Sequence, residues 1–162
     1  MELRPATPDD WEAIWPFFEQ IVRAGETYTY PTDLTYQGGR ALWMQQPPGR
    51  TVVAVEGDTV LGTAEMCPNR GGPGDHMANA SFMVDPAHGA RGVGRALVEH
   101  TIELCRADGY RGITFNAVAE TNTHAVRLYE RLGFTVVGTV PEAFHHPTEG
   151  YVGLHVMHLM LT

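Results

Sequence analysis

Apolar and polar residues follow two different periods along this chain, and the change of period marks its elements. Residues 51–57 and 59–66 are largely apolar and β-branched and meet at Gly57 and Asp58, which predicts a β-hairpin. Residues 77–84 have the same character and form a further expected strand. The middle of the chain therefore holds three consecutive strands.

Four other segments repeat their apolar residues every three or four positions, as a helix with a buried face does. The first covers 7–25 and contains Pro16, which we expect to distort it. A weaker pattern covers 34–46. The third, 92–109, is apolar around most of its circumference, whereas the fourth, 121–134, carries one apolar stripe.

The order of these elements predicts a mixed α/β sheet. A helix connects strand 77–84 to a strand expected at 110–118, and a crossover of this kind makes the two strands parallel. Other neighbours, including the strands expected at 134–140 and 150–161, are antiparallel. We expect six or seven strands, mostly antiparallel, flanked by about four helices and formed by a single domain, 1–162.

Charge and composition limit the kinds of partner that the protein is expected to bind. The net charge is −8 at pH 7, and the basic residues form no block, which argues against nucleic acid or an anionic membrane as partner. No segment reaches the roughly 20 apolar residues of a membrane span, and the first residues lack the apolar run of a secretion signal. We therefore expect a cytoplasmic protein in which Cys67 and Cys105 stay reduced.

The stretch HGARGVGR, residues 88–95, is the first candidate for chemistry. Exposed backbone N–H groups, a helix N-terminus, Arg91 and Arg95 would together attract a pyrophosphate, and Gly92 and Gly94 permit close approach. A dinucleotide fingerprint would need a longer glycine motif after the first strand, and a triphosphate loop would need G-K-[ST]. Neither is present. A plain strand-to-helix turn explains the glycines equally well.

A second motif lies further downstream, N-x-x-A-x-x-L-Y-E-R-L-G-F from Asn122 to Phe134. It places Tyr129 about two helical turns beyond Asn122. Together with the glycine turn, this motif resembles the GNAT superfamily of N-acetyltransferases, and in particular its small-molecule branch. The turn is similar to the family pattern R/Q-x-x-G-x-G/A, except that Gly89 occupies the Arg or Gln position.

The resemblance implies acetyl-CoA as co-substrate and a GNAT-like sheet whose parallel strands splay apart at the cofactor. The glycine turn would hold the pyrophosphate, and the end of strand 77–84 would bind the pantetheine amides and offer a donor to the oxyanion. Asn122 would form a hydrogen bond with the pantetheine arm or with a strand, cap its helix, or do both. The expected cofactor-binding residues are Met83, Val84, Arg91, Gly92, Val93, Gly94, Arg95, Ala96 and Asn122.

Amine acetylation requires that one proton leave the acceptor amine and that another reach the departing thiolate. Tyr129 is our candidate for the acid that protonates the thiolate, and its alternative role is that of a core tyrosine. Glu65, on the strand before the glycine turn, is a candidate general base, although a solvated strand residue fits it equally well. Glu26 is the second candidate base.

Fewer residues in the sequence indicate where the acceptor binds. Tyr28, Tyr30 and His145 are candidate substrate-binding residues. His145 and His146 stand together on an expected loop, and because a metal site needs three or four converging ligands, we expect no metal. The expected acceptor is a primary amine of a small molecule, an amino acid or a peptide, and the expected assembly is a homodimer.

Two other classes of function remain open at this point. A protein with the same fold could bind acyl-CoA without catalysis, as a sensor or structural partner, and the presence of Tyr129 favours an enzyme instead. A dinucleotide-binding oxidoreductase domain is the other class. The chain lacks its early glycine fingerprint and the acidic residue about 20 positions beyond it.

Overall fold

The computed structural model describes residues 1–162 and contains seven β-strands and four α-helices. In chain order these are β1 (Glu2–Pro5), α1 (Trp11–Ala24), α2 (Tyr36–Trp43), β2 (Arg50–Glu56), β3 (Thr59–Pro68), β4 (Met77–Val84), α3 (Val93–Ala107), β5 (Gly112–Ala119), α4 (Thr123–Arg131), β6 (Thr135–His146) and β7 (Gly150–Met160). The number and type of the elements confirm the expected mixed α/β fold.

All seven strands belong to one sheet, in the order β1-β2-β3-β4-β5-β7-β6. β4 and β5 form the parallel pair, and every other neighbouring pair is antiparallel. The hairpin around Gly57 joins β2 to β3, and α3 is the crossover that makes β4 and β5 parallel. Both predictions are confirmed.

The parallel pair is very short, and this feature shapes the site. β4 pairs with β5 only at Met77–Gly112 and Ala78–Ile113, whereas it pairs with β3 at seven positions. The two central strands therefore part after Ala78. The rest of β4 has a ladder partner on its β3 side and none towards β5.

Two apolar layers hold the sheet. On one face, α3 buries residues such as Leu97 and Val98 against β-strand residues that include Ala64. On the other face, α1 and α2 bury a cluster of aromatic rings that includes Trp11 and Trp43. Their amphipathic sequences position these helices, because burial of one apolar stripe is the main source of helix stability in a folded protein.

One element differs from the expectation, whereas Pro16 lies inside α1 as the sequence pattern placed it. β6 continues past residue 140 through His146, because a register shift between Val140 and Phe144 absorbs the intervening residues. His145 and His146 therefore belong to a strand, and the prediction of a loop at this position is wrong.

Candidate active site

A groove of about 780 Å³ lies where β4 and β5 part. Its walls come from the end of β4, the glycine turn, the first turns of α3, α4 and the segment that follows α1. The groove therefore combines the two sequence motifs, which are separated along the chain, in one cavity.

The glycine turn presents backbone donors to this groove. Gly92 precedes α3 with a φ of 76°, in the left-handed region that glycine adopts at least cost. The N–H of Ala96 bonds to the carbonyl of Gly92 at 3.1 Å, so the N–H groups of Val93, Gly94 and Arg95 have no partner within the helix. These three residues and Gly92 line the groove, whereas Ala96 does not. The arrangement is suited to an anion.

The two arginines of the glycine turn are placed differently from each other, and only Arg91 departs from the sequence expectation. Arg91 points away from the groove and binds both carboxylate oxygens of Glu56, at 2.8 and 2.9 Å. Arg95 lines the groove, and its Nε donates to Glu99 at 2.8 Å. The sequence reasoning missed Arg131, which lines the groove from α4.

His124 is a second groove residue that was missed. His124, Leu128 and Arg131 all line the groove, and their spacing of four and three residues places them on one face of α4. That spacing is visible in the sequence. With Tyr129 as the reference position on the helix, the spacing would have identified His124 and Arg131 from the sequence.

The open edge of β4 offers a second set of backbone groups. The N–H of Asp85 bonds to the carbonyl of Leu61 on β3 at 2.9 Å, and successive residues of a strand point their polar groups to opposite sides. The backbone of Met83 therefore faces β3, whereas the backbones of Phe82 and Val84 face the opening. Tyr28 donates its hydroxyl hydrogen to the Phe82 carbonyl from that side. This geometry favours Phe82 and Val84, more than Met83, as hydrogen-bonding residues of the groove.

A second cavity, of about 240 Å³, continues from the groove between β4 and β5. Five residues line both cavities: Thr27, Tyr28, Phe82, Asn122 and Tyr129. The two cavities therefore meet at the tyrosine and asparagine that the second motif singled out. The side chain of Asn122 forms no cap hydrogen bond with α4.

Tyr129 is held by other aromatic rings. Its ring centre lies 4.6 Å from that of Phe115, 5.9 Å from that of Phe134 and 6.0 Å from that of Phe82. Burial raises its pKa above the ordinary value for tyrosine. The phenol is therefore protonated at neutral pH, as a proton donor must be.

Glu65 lies one layer behind the second cavity. Its side chain is 4% exposed and lines neither cavity, so the idea of a solvated strand residue is wrong. Burial raises its pKa to about 7, while hydrogen bonds from Ser81 and Gln45 act in the opposite direction. Ser81, which is paired with Glu65 across β3 and β4, lines the second cavity and separates the carboxylate from it.

The other candidates fall on both sides of the junction. Tyr28 and Tyr30 stack in parallel with ring centres 5.6 Å apart and line the second cavity. Burial raises the pKa of Tyr30 to about 12. Glu26 is exposed and lines the groove instead. His145 stacks on Tyr151 in the β6–β7 hairpin and is not brought to either cavity.

No group of three or more His, Cys, Asp and Glu side chains in this chain is arranged to hold a metal ion. None of the four α-helices combines the length and the apolar character that crossing a membrane requires.

Comparison with known proteins matches the chain to one family and one fold. The model of the acetyltransferase (GNAT) family matches residues 11–134. The solved GCN5-related N-acetyltransferase from Kribbella flavida is 59% identical, with a TM-score of 0.95 over 98% of this chain and 96% of that one. The structure of yncA from Salmonella typhimurium, solved with its cofactor acetyl-CoA, is 26% identical, with a TM-score of 0.80 over 100% and 94% of the two chains.

Among curated relatives, the N-acetyltransferase aca1 of Schizosaccharomyces pombe is 34% identical over 99 residues. The match covers 60% of this chain and 47% of that protein. The chain thus spans about half the length of this relative.

Proposed function

The chain belongs to the GNAT acetyltransferase family, and we propose that it transfers an acetyl group from acetyl-CoA to a primary amine while both substrates are bound. The observation that carries this proposal is the meeting of two cavities at Tyr129. One cavity has the anion-binding turn and the open strand edge that a long nucleotide thioester requires. The other is smaller and suits an acceptor.

The residues of the groove fit acetyl-CoA. The free N–H groups at the start of α3 would receive the pyrophosphate, with Arg95 and Arg131 adding positive charge. The backbones of Phe82 and Val84 would bind the pantetheine amides as an added strand does. When bound, acetyl-CoA supplies the activated carbonyl. In yncA, which has the same fold, the cofactor present in the structure is acetyl-CoA.

The protein's own groups then handle two protons. A protonated amine must lose one before it can attack, and we assign Glu65 as the base that receives it through the Ser81 hydroxyl. Tyr129 supplies the proton that the leaving sulfur takes up, and its phenolate regains a proton from the nitrogen that has formed the new amide bond. Neither cysteine takes part, because burial raises the pKa of both thiols and leaves them protonated.

The test is an assay of thiol release from acetyl-CoA with a panel of amines, together with mass spectrometry of the acetylated product. We expect turnover with at least one amine, and binding of acetyl-CoA but not of NADH by calorimetry. Binding of acetyl-CoA without turnover of any amine would support the non-catalytic sensor instead. Binding of NADH but not of CoA would contradict the assignment.

We also infer a homodimer. β6 is an edge strand with almost every residue exposed, and the exposed apolar residues Val136, Val137, Val140, Tyr151 and Met160 lie on the β6–β7 hairpin. An apolar edge strand of this length is a place where chains associate. Light scattering of the purified protein tests this, with Val137→Glu as the variant expected to give monomers. The cytoplasmic location and the single-domain assignment of 1–162 stay predictions.

A further inference from the structure

The cavity on the acceptor side contains no charged side chain. Its polar side chains belong to Thr, Ser, Asn and Tyr, among them Thr29, Tyr30, Asn79, Ser81 and Asn116, and the other lining residues are apolar. The adjoining groove differs, because it is lined by cationic and anionic side chains, including Arg95, Arg131, Glu26 and Asp85. Charged side chains therefore line the groove on the cofactor side of the junction and do not line the cavity on the acceptor side.

A buried carboxylate lies behind the cavity wall. Glu65 is buried behind Ser81, and its partners Ser81 and Gln45 are neutral groups. At the cavity rim, Asn116 and Asn69 join their side-chain amides by two hydrogen bonds, at 3.1 and 2.7 Å. Arg70 donates to the Asn69 carbonyl at 3.1 Å, but it is exposed and does not line the cavity. The lining itself therefore offers only neutral hydrogen-bonding groups, with a carboxylate behind it, and no cation.

This arrangement discriminates between acceptors by the charge next to the reacting nitrogen. In an α-amino acid, the carboxylate is two bonds from the amine, so it would enter the cavity with it. It would lose its water there without gaining a cationic partner, which is costly for an anion. It would also repel the ionised Glu65 and raise the pKa of that base further.

We propose that the acceptor is a primary amine on an uncharged stem, with no carboxylate beside the reacting nitrogen, and that α-amino acids are excluded. This inference rests on the proposed function and names the substrate class of the same site. The required chemistry is shared by free amines and by the side chain of a lysine within a peptide, whose backbone carboxyl is an amide.

Matched acceptors test the proposal without changing the protein. Tyramine, tyrosine and tyrosine methyl ester share one ring and differ at the α-carbon, where only tyrosine is anionic. We expect kcat/KM for tyramine and for the ester to exceed that for tyrosine by about tenfold or more, because only tyrosine buries an unpaired anion. Tyramine is a stronger base than tyrosine and the ester a weaker one, so a shared preference for both cannot come from amine basicity.

A second arm distinguishes the sources of the amine. Nα-acetyl-lysine amide, compared with butylamine, shows whether a peptide-borne stem is used better than a free one. The chain contains no lysine, so acetylation of its own lysine side chains cannot add to the signal.

A third arm changes the cavity. Asn79→Arg adds a cation to its lining, and it should raise kcat/KM for tyrosine relative to tyramine by about tenfold. Thr135→Arg, on the exposed edge strand β6, adds the same charge away from the cavity and should leave the ratio unchanged.

Each outcome has a definite meaning. A preference for tyramine and the ester that Asn79→Arg reverses or narrows supports the inference. Equal or better use of tyrosine by the unaltered protein overturns the inference and leaves the acetyltransferase function standing. No acetylation of any amine in the panel overturns the proposed function itself, together with the inference that rests on it.

Discussion

The two cavities that meet at Tyr129 are built from different parts of the polypeptide. In the groove, the groups that face a ligand are largely backbone: the N–H groups at the start of α3 and the open edge of β4. In the acceptor cavity they are side chains, such as those of Tyr30, Asn79 and Ser81. A site made of backbone depends on glycine and on chain direction, whereas a site made of side chains depends on each residue's identity.

This contrast predicts different responses to substitution. Changes on the acceptor side should act on rate and pH dependence, because the proposed proton transfers involve groups on that side. Changes on the cofactor side should act on affinity. A groove variant that changes the pH dependence, or an acceptor-cavity variant that changes the affinity for acetyl-CoA, would show that the two cavities are not separate in function.

The largest expected effect is at the base. Glu65→Gln should lower kcat/KM by about 10²–10⁴-fold, the usual range for the loss of an acid or base group. The loss should shrink at high pH, where more acceptor is already free amine. In the unaltered protein, activity should decline as the pH falls through about 7, because Glu65 then gains its proton. Rates measured from pH 5.5 to 9.5 test both statements, and a flat profile would remove Glu65 from the mechanism.

Gln45 sharpens that test. Its Nε2 donates to Glu65 Oε2 at 2.9 Å and stabilises the ionised form, so Gln45→Leu should raise the midpoint of the pH profile while the rate at high pH stays close to normal. Gln46→Leu is the matched control, because Gln46 neighbours Gln45 without a hydrogen bond to Glu65. Equal shifts in both variants would indicate a general disturbance of the segment after α2.

The next effect concerns the proton donor. Tyr129→Phe keeps the ring among Phe82, Phe115 and Phe134 and removes only the hydroxyl, so kcat should fall by about 10²-fold while the Kd for acetyl-CoA and the Tm change little. Tyr110→Phe serves as control. It removes the hydroxyl of a partly buried tyrosine that packs against the core and lines neither cavity, so turnover should stay near normal. A normal kcat in Tyr129→Phe would contradict the assigned role.

On the cofactor side, Gly92→Ala should weaken acetyl-CoA binding by about tenfold or more. The new methyl group meets no protein atom within 4 Å, but it lies at the turn and forces a φ of 76° on a residue with a side chain. Gly57→Ala is a close control, with a φ of 59° and equally open surroundings in the β2–β3 hairpin. Both should lose about 1–2 kcal/mol of stability through backbone strain. Only Gly92→Ala should lose affinity in a calorimetric titration.

The smallest effect separates two arginines. Arg131→Ala should weaken acetyl-CoA binding a few-fold, and the difference should fade at high salt, since a cation lining an open groove is screened. Arg91→Ala should leave affinity unchanged, because its guanidinium is paired with Glu56. Titrations at two salt concentrations decide the matter. An affinity loss confined to Arg91→Ala would mean that the Arg91–Glu56 pair opens when the cofactor binds.

Features that arise within one short segment could be predicted from the sequence. The hairpin at Gly57, the crossover through α3 and the glycine turn each depend on residues adjacent in the chain, and the structure contains all three. The course of β6 beyond residue 140 was not predictable in this way. Proline and glutamate there read as a break, whereas a register shift against β7 lets the strand continue.

Features that depend on distant partners were less predictable. Arg91 was expected at the cofactor, but Glu56, at the end of β2, binds its side chain. His145 was expected at the substrate, but its place in the β6–β7 hairpin keeps it away. The direction of the Met83 backbone follows from its register with β3, which alternation along β4 alone does not specify. Each of these depends on which strands become neighbours, which a single sequence states only indirectly.

The parting of β4 and β5 also has a consequence for how the molecule opens. Two residue pairs join the block β1–β4 to the block β5–β7–β6, so backbone bonding between the blocks is sparse. The amide hydrogens of Phe82 and Val84, which face the gap, should exchange with deuterated solvent faster than those that face β3, and acetyl-CoA should slow them selectively. A ligand lying along β4 would then act as the missing length of strand, and the two blocks would unfold in a more concerted way with it than without it.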